Sequence, residues 1–363
     1  MRAMKLVISA ALTLAMLLLQ SAAALPQEDN AAAWKKLVRE DSDETQPVFP
    51  IQFIRRLGDD IVTESDGFKI VDPNKPTLEA FAVPNIVSIK LVSEDESKHK
   101  TFAFGTNSKG CVIERRDADG WHSITVPPAV SAKRNKWKML SEGGDLAFIA
   151  SDECIYLHNG VWSKAKIPKN AVTGEISNTL VLKAGKIYSG FDLGEWGGRI
   201  SEIDATTGAT REIFKDSMYA VRDLKFGPDG KLWFVCGISH MGFETAALYS
   251  YDGKLHCHSE VQGMQNSPKN KKQVNWDLGA TSFRGMLFAK DGSLLVVTAD
   301  YGIMKYSNEK WSRLTPNWHL APVCGIAETK SGLIVLPCWH RGIVFVAPAN
   351  ESYKFILSNS SSH

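Results

Sequence analysis

Three histidines, His240, His319 and His340, are the side chains in this sequence with the widest chemical scope. An imidazole titrates near neutral pH and can act as a general base or ligate a metal. With Asp277 or Asp300 supplying a carboxylate, the three could compose a divalent-metal site or an acid–base pair. For each of them a hydrogen-bonded or solvent-facing ring is the plainer reading. Side chains suited to recognition stand around them: Arg222, Trp276, Arg284, Tyr301, Trp318, Trp339 and Arg341, with Glu195 and Trp196 further upstream. Aromatic residues and arginine are the usual anchors of binding surfaces. Arg222 and Arg284 could equally pair with acidic neighbours and pin structure, and the tryptophans could equally cap an apolar core. The sequence holds no G-x-S-x-G, no phosphate loop and no H-E-x-x-H, so no nucleophile, nucleotide or zinc-protease motif accompanies them.

These residues are far apart in the chain, and a repeat must bring them together. Aligning short strand-like units on the turn before their second strand gives anchors at Gly58, Lys100, Gly144, Gly185, Gly230, Gly292 and Gly332. Successive spacings are 42, 44, 41, 45, 62 and 40 residues, the long one holding an insertion over residues 261–279. Units of about 40–45 residues with four strands each are the signature of β-propeller blades. Leu294-Leu295-Val296-Val297 and Leu333-Ile334-Val335-Leu336 are continuous apolar runs, as a strand covered on both faces requires. Trp121, Trp162 and Trp311 each follow a turn, with Pro127, Pro168 and Pro316 closing the strand. The predicted fold is all-β, a propeller of seven four-stranded antiparallel blades, with six blades and residues 51–84 as an appendage the alternative. The first blade takes its inner strand from residues 51–55 and the last its outer strand from 353–357, so no strand is exchanged at the seam.

Alternating strand direction puts inter-blade connections and second-to-third-strand turns on one face, around the mouth of the central channel. Connections or inner-strand starts carry Arg222, Trp276, Asp277, Arg284, Trp318 and His319. The turns carry Glu195, Trp196, His240, Asp300, Tyr301, Trp339, His340 and Arg341. A concave mouth with convergent polar groups is the expected ligand site.

The repeat resembles the two-component regulator propeller repeat of bacterial sensor ectodomains. Val221-Arg222-Asp223 with Pro228-Asp229-Gly230-Lys231-Leu232-Trp233-Phe234 carries the likeness. Phe283-Arg284 with Asp291-Gly292 and Thr298-Ala299-Asp300-Tyr301-Gly302-Ile303 carries it again. It is good over residues 220–345 and thin before 135. The stretch from Gly227 to Phe234 alone is more weakly similar to streptogramin lyase and lactonase-like propellers. The first resemblance implies a ligand-sensing or scaffolding propeller; the second, a metal-assisted lyase or hydrolase. Sensor kinases add a membrane span and a kinase region, and this sequence, to His363, shows neither, so signalling across a membrane is not expected of this chain alone.

Residues 1–24 read as a signal peptide: Arg2 and Lys5, an apolar run from Leu6 to Leu19, then Ala22 and Ala24 at a small-residue site. Residues 25–49 read as a polar leader, 50–358 as the propeller and 359–363 as a disordered tail. A secreted or periplasmic, monomeric protein follows, with no membrane span after signal removal. The formal charge of +2 argues against nucleic acid as a partner. The expected partner is a small molecule, glycan or protein. Six cysteines in the exported part permit disulfides. Cys324 and Cys338 lie on strands paired through the turn at Gly332 and are the candidate bridge, while Cys111 and Cys154 read as small buried hydrophobes.

Overall fold

The structure is a computed structural model. It describes residues 53–356 except 58–59, 66, 73–77, 96, 133–136, 170, 173–178, 241–242, 265–281, 300–301, 316–324, 339–341 and 348–351. The expected signal peptide, leader and tail fall outside the described residues. So does Cys324, and with it the candidate bridge.

Seven four-stranded antiparallel sheets form a ring, which settles the blade count against six. The blades cover residues 53–80, 88–124, 138–166, 179–216, 221–264, 283–313 and 327–356, each built from consecutive strands. No strand is exchanged at closure. The first strand of blade 1 runs Phe53–Leu57 and the last of blade 7 runs Ser352–Ile356, within two residues of expectation. The first strands pack against one another around the ring, as the pairs from blade 1 to blade 2 through blade 5 to blade 6, and from blade 7 to blade 1, show. They therefore line the axis. The insertion expected from residue 261 starts later, because the fourth strand of blade 5 stays in register as far as Met264, opposite Phe243.

The apolar runs work as two-sided strands. In blade 5, Phe234 and Cys236 pack toward blade 4 while Val235 between them packs toward blade 6. In blade 7, Ile334 and Leu336 face blade 6 and Val335 faces blade 1. Seven separate apolar clusters result, one at every blade-to-blade seam, the closing one joining Ile54 and Ile61 to Val335 and Phe345. Each fully buried side chain of this size contributes about 1.5–3 kcal/mol. Edge-to-face rings interlock the seams: Phe104 with Phe148 at 5.3 Å and Phe214 with Phe234 at 5.0 Å. Of the cysteines foreseen as buried, Cys154 is enclosed and Cys111 only half-buried.

Polar links cross the seams at the end of the ring away from the second-to-third-strand turns. Asp95, closing the first strand of blade 2, accepts from Gly144 N in the first turn of blade 3 at 2.6 Å. Glu142, closing the same strand of blade 3, accepts from Lys183 Nζ at 2.8 Å and Ala184 N at 3.3 Å in blade 4. Between blades 5 and 6, His258 stacks on Trp233 at 4.4 Å, meets Tyr306 edge-on at 6.0 Å, and lies 2.7 Å from Ser250 Oγ.

Two predictions follow from these seams. Gly105 sits where a Cβ would come within 2.4 Å of the Ser88 carbonyl oxygen and 2.5 Å of Ile86 Cγ2. Gly105→Ala is expected to cost about 1–3 kcal/mol by overpacking, read from the denaturant midpoint. Burial, and then the charges of His256 and Lys231, hold the His258 pKa below its ordinary 6.5. Below pH 6.5 the unfolded chain then binds the proton more readily than the folded one. Stability is therefore full above that pH, falls as pH drops through the depressed folded value, and levels off beneath it. His258→Phe should flatten that part of the Tm–pH curve.

Candidate functional site at the channel mouth

Two features fix the mouth: the starts of the channel-lining strands, and the turns between second and third strands. Blade 4 carries the most detailed example of the second. Its second strand, Lys186–Asp192, ends in a turn that closes before Gly198–Asp204 begins. Asp192 Oδ1 accepts from Gly194 N at 2.8 Å, Leu193 N donates to Gly197 O at 3.0 Å, and Gly197 N donates to Gly194 O at 3.1 Å. Gly197 has φ 82°, and a Cβ there would lie 2.0 Å from the Asp216 carbonyl oxygen, so the turn packs directly on the connection to blade 5. That short turn holds Trp196 with 76% of its surface in solvent. On the connection behind it Met218 is also exposed. A large apolar ring held outward by a bonded turn is an unusual use of tryptophan, which is normally well buried.

Asp192 also reaches inward. Its Oδ2 accepts from Arg222 Nη1, across the seam between blades 4 and 5, with the Asp192 side chain 7% and the Arg222 side chain 21% exposed. Arg222 Nε donates to the Gly237 carbonyl at 2.7 Å. One carboxylate thus ties the Trp196 turn to an arginine on the channel-lining strand of the next blade.

The inner strands share a second feature. In blades 2, 5 and 6 the pairing between first and second strands slips by one residue, from Ile89 to Leu91, from Val221 to Asp223 and from Phe283 to Gly285. The extra residue in each bulge is basic: Lys90, Arg222 and Arg284. A β-bulge leaves its extra residue out of the ladder and re-aims the side chain. In blade 2 a glycine stands at the slip: Gly105 pairs with Ile89, and an ideal Cβ on it would approach the Ser88 carbonyl oxygen to 2.4 Å.

Of the residues singled out in the sequence, Glu195 and Trp196 lie in the blade 4 turn, and Arg222 and Arg284 both stand at bulges on the channel-lining strands. His240 ends the second strand of blade 5. His319, His340, Trp276, Asp277, Asp300, Tyr301, Trp318, Trp339 and Arg341 lie outside the described residues. Among the described residues, the group able to hold a metal ion is Asp117, Asp119 and His122. It sits on the hairpin joining the third and fourth strands of blade 2, at the opposite end from the mouth, with His122 Nε2 3.1 Å from Asp119. Lys90 and Asp192 were not singled out in the sequence. Asp192 became visible only once a partner 30 positions away was known.

Asp192→Ala removes both the cap of the Trp196 turn and the partner of a largely enclosed arginine. A loss of about 3 kcal/mol in unfolding free energy is expected, with faster amide exchange at Gly194 and Gly197. Unchanged exchange there would mean that the turn holds itself.

No protein-family model and no curated protein sequence matches the chain. Among solved structures it is similar to a GH74 enzyme from Niastella koreensis, with 12% identity, a TM-score of 0.54, and coverage of 86% of this chain and 55% of that one. It is also similar to the extracellular domains of the one-component system BT4673 and the hybrid two-component system BT3049 from B. thetaiotaomicron. Each is 14% identical, with TM-scores of 0.46 and 0.47, covering 82% of this chain and 38% and 39% of theirs. The chain thus spans about half the length of the first and under two fifths of the others. What the chain shares with them is the propeller fold.

Proposed function

We propose that this protein is an exported binding module that takes a small molecule, glycan or partner protein at the channel-mouth face. The observation that carries the reading is Trp196, 76% exposed and fixed by a hydrogen-bonded turn. A turn whose backbone is fixed before binding has less entropy to lose on contact, and buried aromatics are where binding energy concentrates. The turn abuts the connection bearing Met218 and is tied through Asp192 to Arg222, so apolar and charged surface meet at one place. Trp276, Asp277, Asp300, Tyr301, Trp318, Trp339 and Arg341 belong to the proposal on the sequence expectation that they share this end. Export rests on residues 1–24, and among the described residues no helix is long and apolar enough to cross a membrane.

The test is a thermal-shift screen of glycans and peptides, because a ligand that binds only the native state must raise Tm. For the ligands found, Trp196→Ala is expected to weaken affinity about tenfold or more while leaving the unliganded Tm unchanged. Full affinity in that variant would place the site elsewhere.

A further inference from the structure

We infer that the Asn159-Gly160 turn of blade 3 is a self-modification site. There the Gly160 backbone nitrogen displaces the Asn159 side-chain amide nitrogen, and His158 gives the departing group its proton. The site is independent of the binding reading above. Asn159-Gly160 is the one Asn-Gly pair in the sequence. It joins the third and fourth strands of blade 3, Glu153–His158 and Val161–Lys166, with His158 paired to Val161. Both turn residues have positive φ, 50° and 79°, the tight hairpin for which Asn-Gly is the preferred pair. The turn is exposed, so ammonia can leave and water can enter.

Beside the amide stands an oriented imidazole. Asn159 Nδ2 is 2.9 Å from His158 Nε2. The ring is held from its other side: His158 Nδ1 lies 2.9 Å from both carboxylate oxygens of Asp145. It also stacks on Tyr156, with centroids 5.8 Å apart and 16° between the planes. Tyr156 is buried and donates its hydroxyl to Asp145 Oδ2, so the carboxylate is itself anchored. A carboxylate at Nδ1 leaves Nε2 as the nitrogen facing the amide. On the attacking side, Gly160 N makes no hydrogen bond among the described residues, and Gly160 stands in open space.

Water is the only co-reactant. Gly160 N attacks Asn159 Cγ, the new C–N bond closes a five-membered imide, and the Gly160 amide proton passes to water. The Cγ–Nδ2 bond breaks, and the nitrogen leaves as ammonia on taking a proton, which a protonated His158 Nε2 is placed to give. Water then opens the imide. Opening at the side-chain carbonyl gives aspartate, and opening at the main-chain carbonyl gives isoaspartate. The sum is an amide and water converted to a carboxylate and ammonium. Aspartate would set a second carboxylate beside the imidazole, across the ring from Asp145. Isoaspartate would lengthen the turn and disturb the pairing of His158 with Val161.

The chain carries its own control. Asn308-Glu309 forms the corresponding hairpin of blade 6, with φ of 51° and 59°, but a side chain stands on the attacking residue and Ser307 takes the place of the histidine. The experiment holds the intact protein in neutral buffer for weeks and samples it by peptide mapping, with mass spectrometry that separates aspartate from isoaspartate. Expected is conversion at Asn159 with Asn308 retained. In His158→Gln, where the replaced side chain is exposed and the fold is kept, conversion is expected to be slower by about tenfold or more. In denaturant the two proteins are expected to convert at equal rates, because the imidazole is no longer held at the amide. Retention of Asn159 to the level of Asn308, equal folded rates in wild type and His158→Gln, or a rate difference that persists in denaturant would overturn the inference.

Discussion

Burial of both faces of every blade against its neighbours is the constraint on which everything else in this molecule depends. The second strand of each blade shows it residue by residue: Phe234, Val235 and Cys236 alternate between two seams, as do Ile334, Val335 and Leu336. A sheet of this kind has no solvent face to offer, and an isolated blade would leave one apolar surface in water. The ring must therefore close. Closure here needs no exchanged strand, because Ile54 and Ile61 bury against Val335 and Phe345 as well as any internal pair of blades does. Because each seam is one cluster among seven, no single substitution abolishes the core, yet each sets the angle between its two blades.

From that packing the mouth follows. The first strands meet around the axis, so any residue at their starts is brought toward the channel whatever its type. What this chain does there is local. In blades 2, 5 and 6 the ladder slips by one and a basic residue is set outside it, and in blade 2 Gly105 on the second strand lets the inner strand come close. Such a position costs ladder hydrogen bonds, which the fold can bear because seam burial supplies the stability. Asp192 then performs two tasks with its two oxygens, capping the turn that displays Trp196 and orienting Arg222.

Much of the frame was legible in the sequence, since turn glycines and two-sided apolar runs have local causes. Gly230, Gly292 and Gly332 mark first hairpins with φ of 75°, 78° and 85°, where expected. Blade 2 was harder to read, because its anchor is Lys100 rather than glycine. The site was less legible. Arg222 and Arg284 stood out by their equivalent places in the repeat, but Lys90 sits in a unit too divergent for that comparison. Asp192 reads as an ordinary strand-end carboxylate until blade 5 is packed beside blade 4. The stacking of His258 on Trp233 likewise joins the fourth and second strands of a blade, which no spacing along the chain announces.

The two ends of the channel-lining strands are chemically unlike, and the difference bears on where function can reside. At the far ends the carboxylates are absorbed into the frame: Asp95 and Glu142 each hold the first turn of the following blade through backbone amides. A backbone partner is available whatever side chain the neighbour carries, so those acids make a seam lock that tolerates sequence divergence. At the starts, by contrast, the extra residues are cations placed by bulges, and the described bonds of Arg222 use only part of its donor set. One end spends its polar groups on holding blades together. The other also ties blades 4 and 5, through Asp192 and Arg222, but does so beside a turn that leaves Trp196 in solvent. That division accounts for a frame read easily from a repeat and a mouth whose chemistry belongs to this chain in particular.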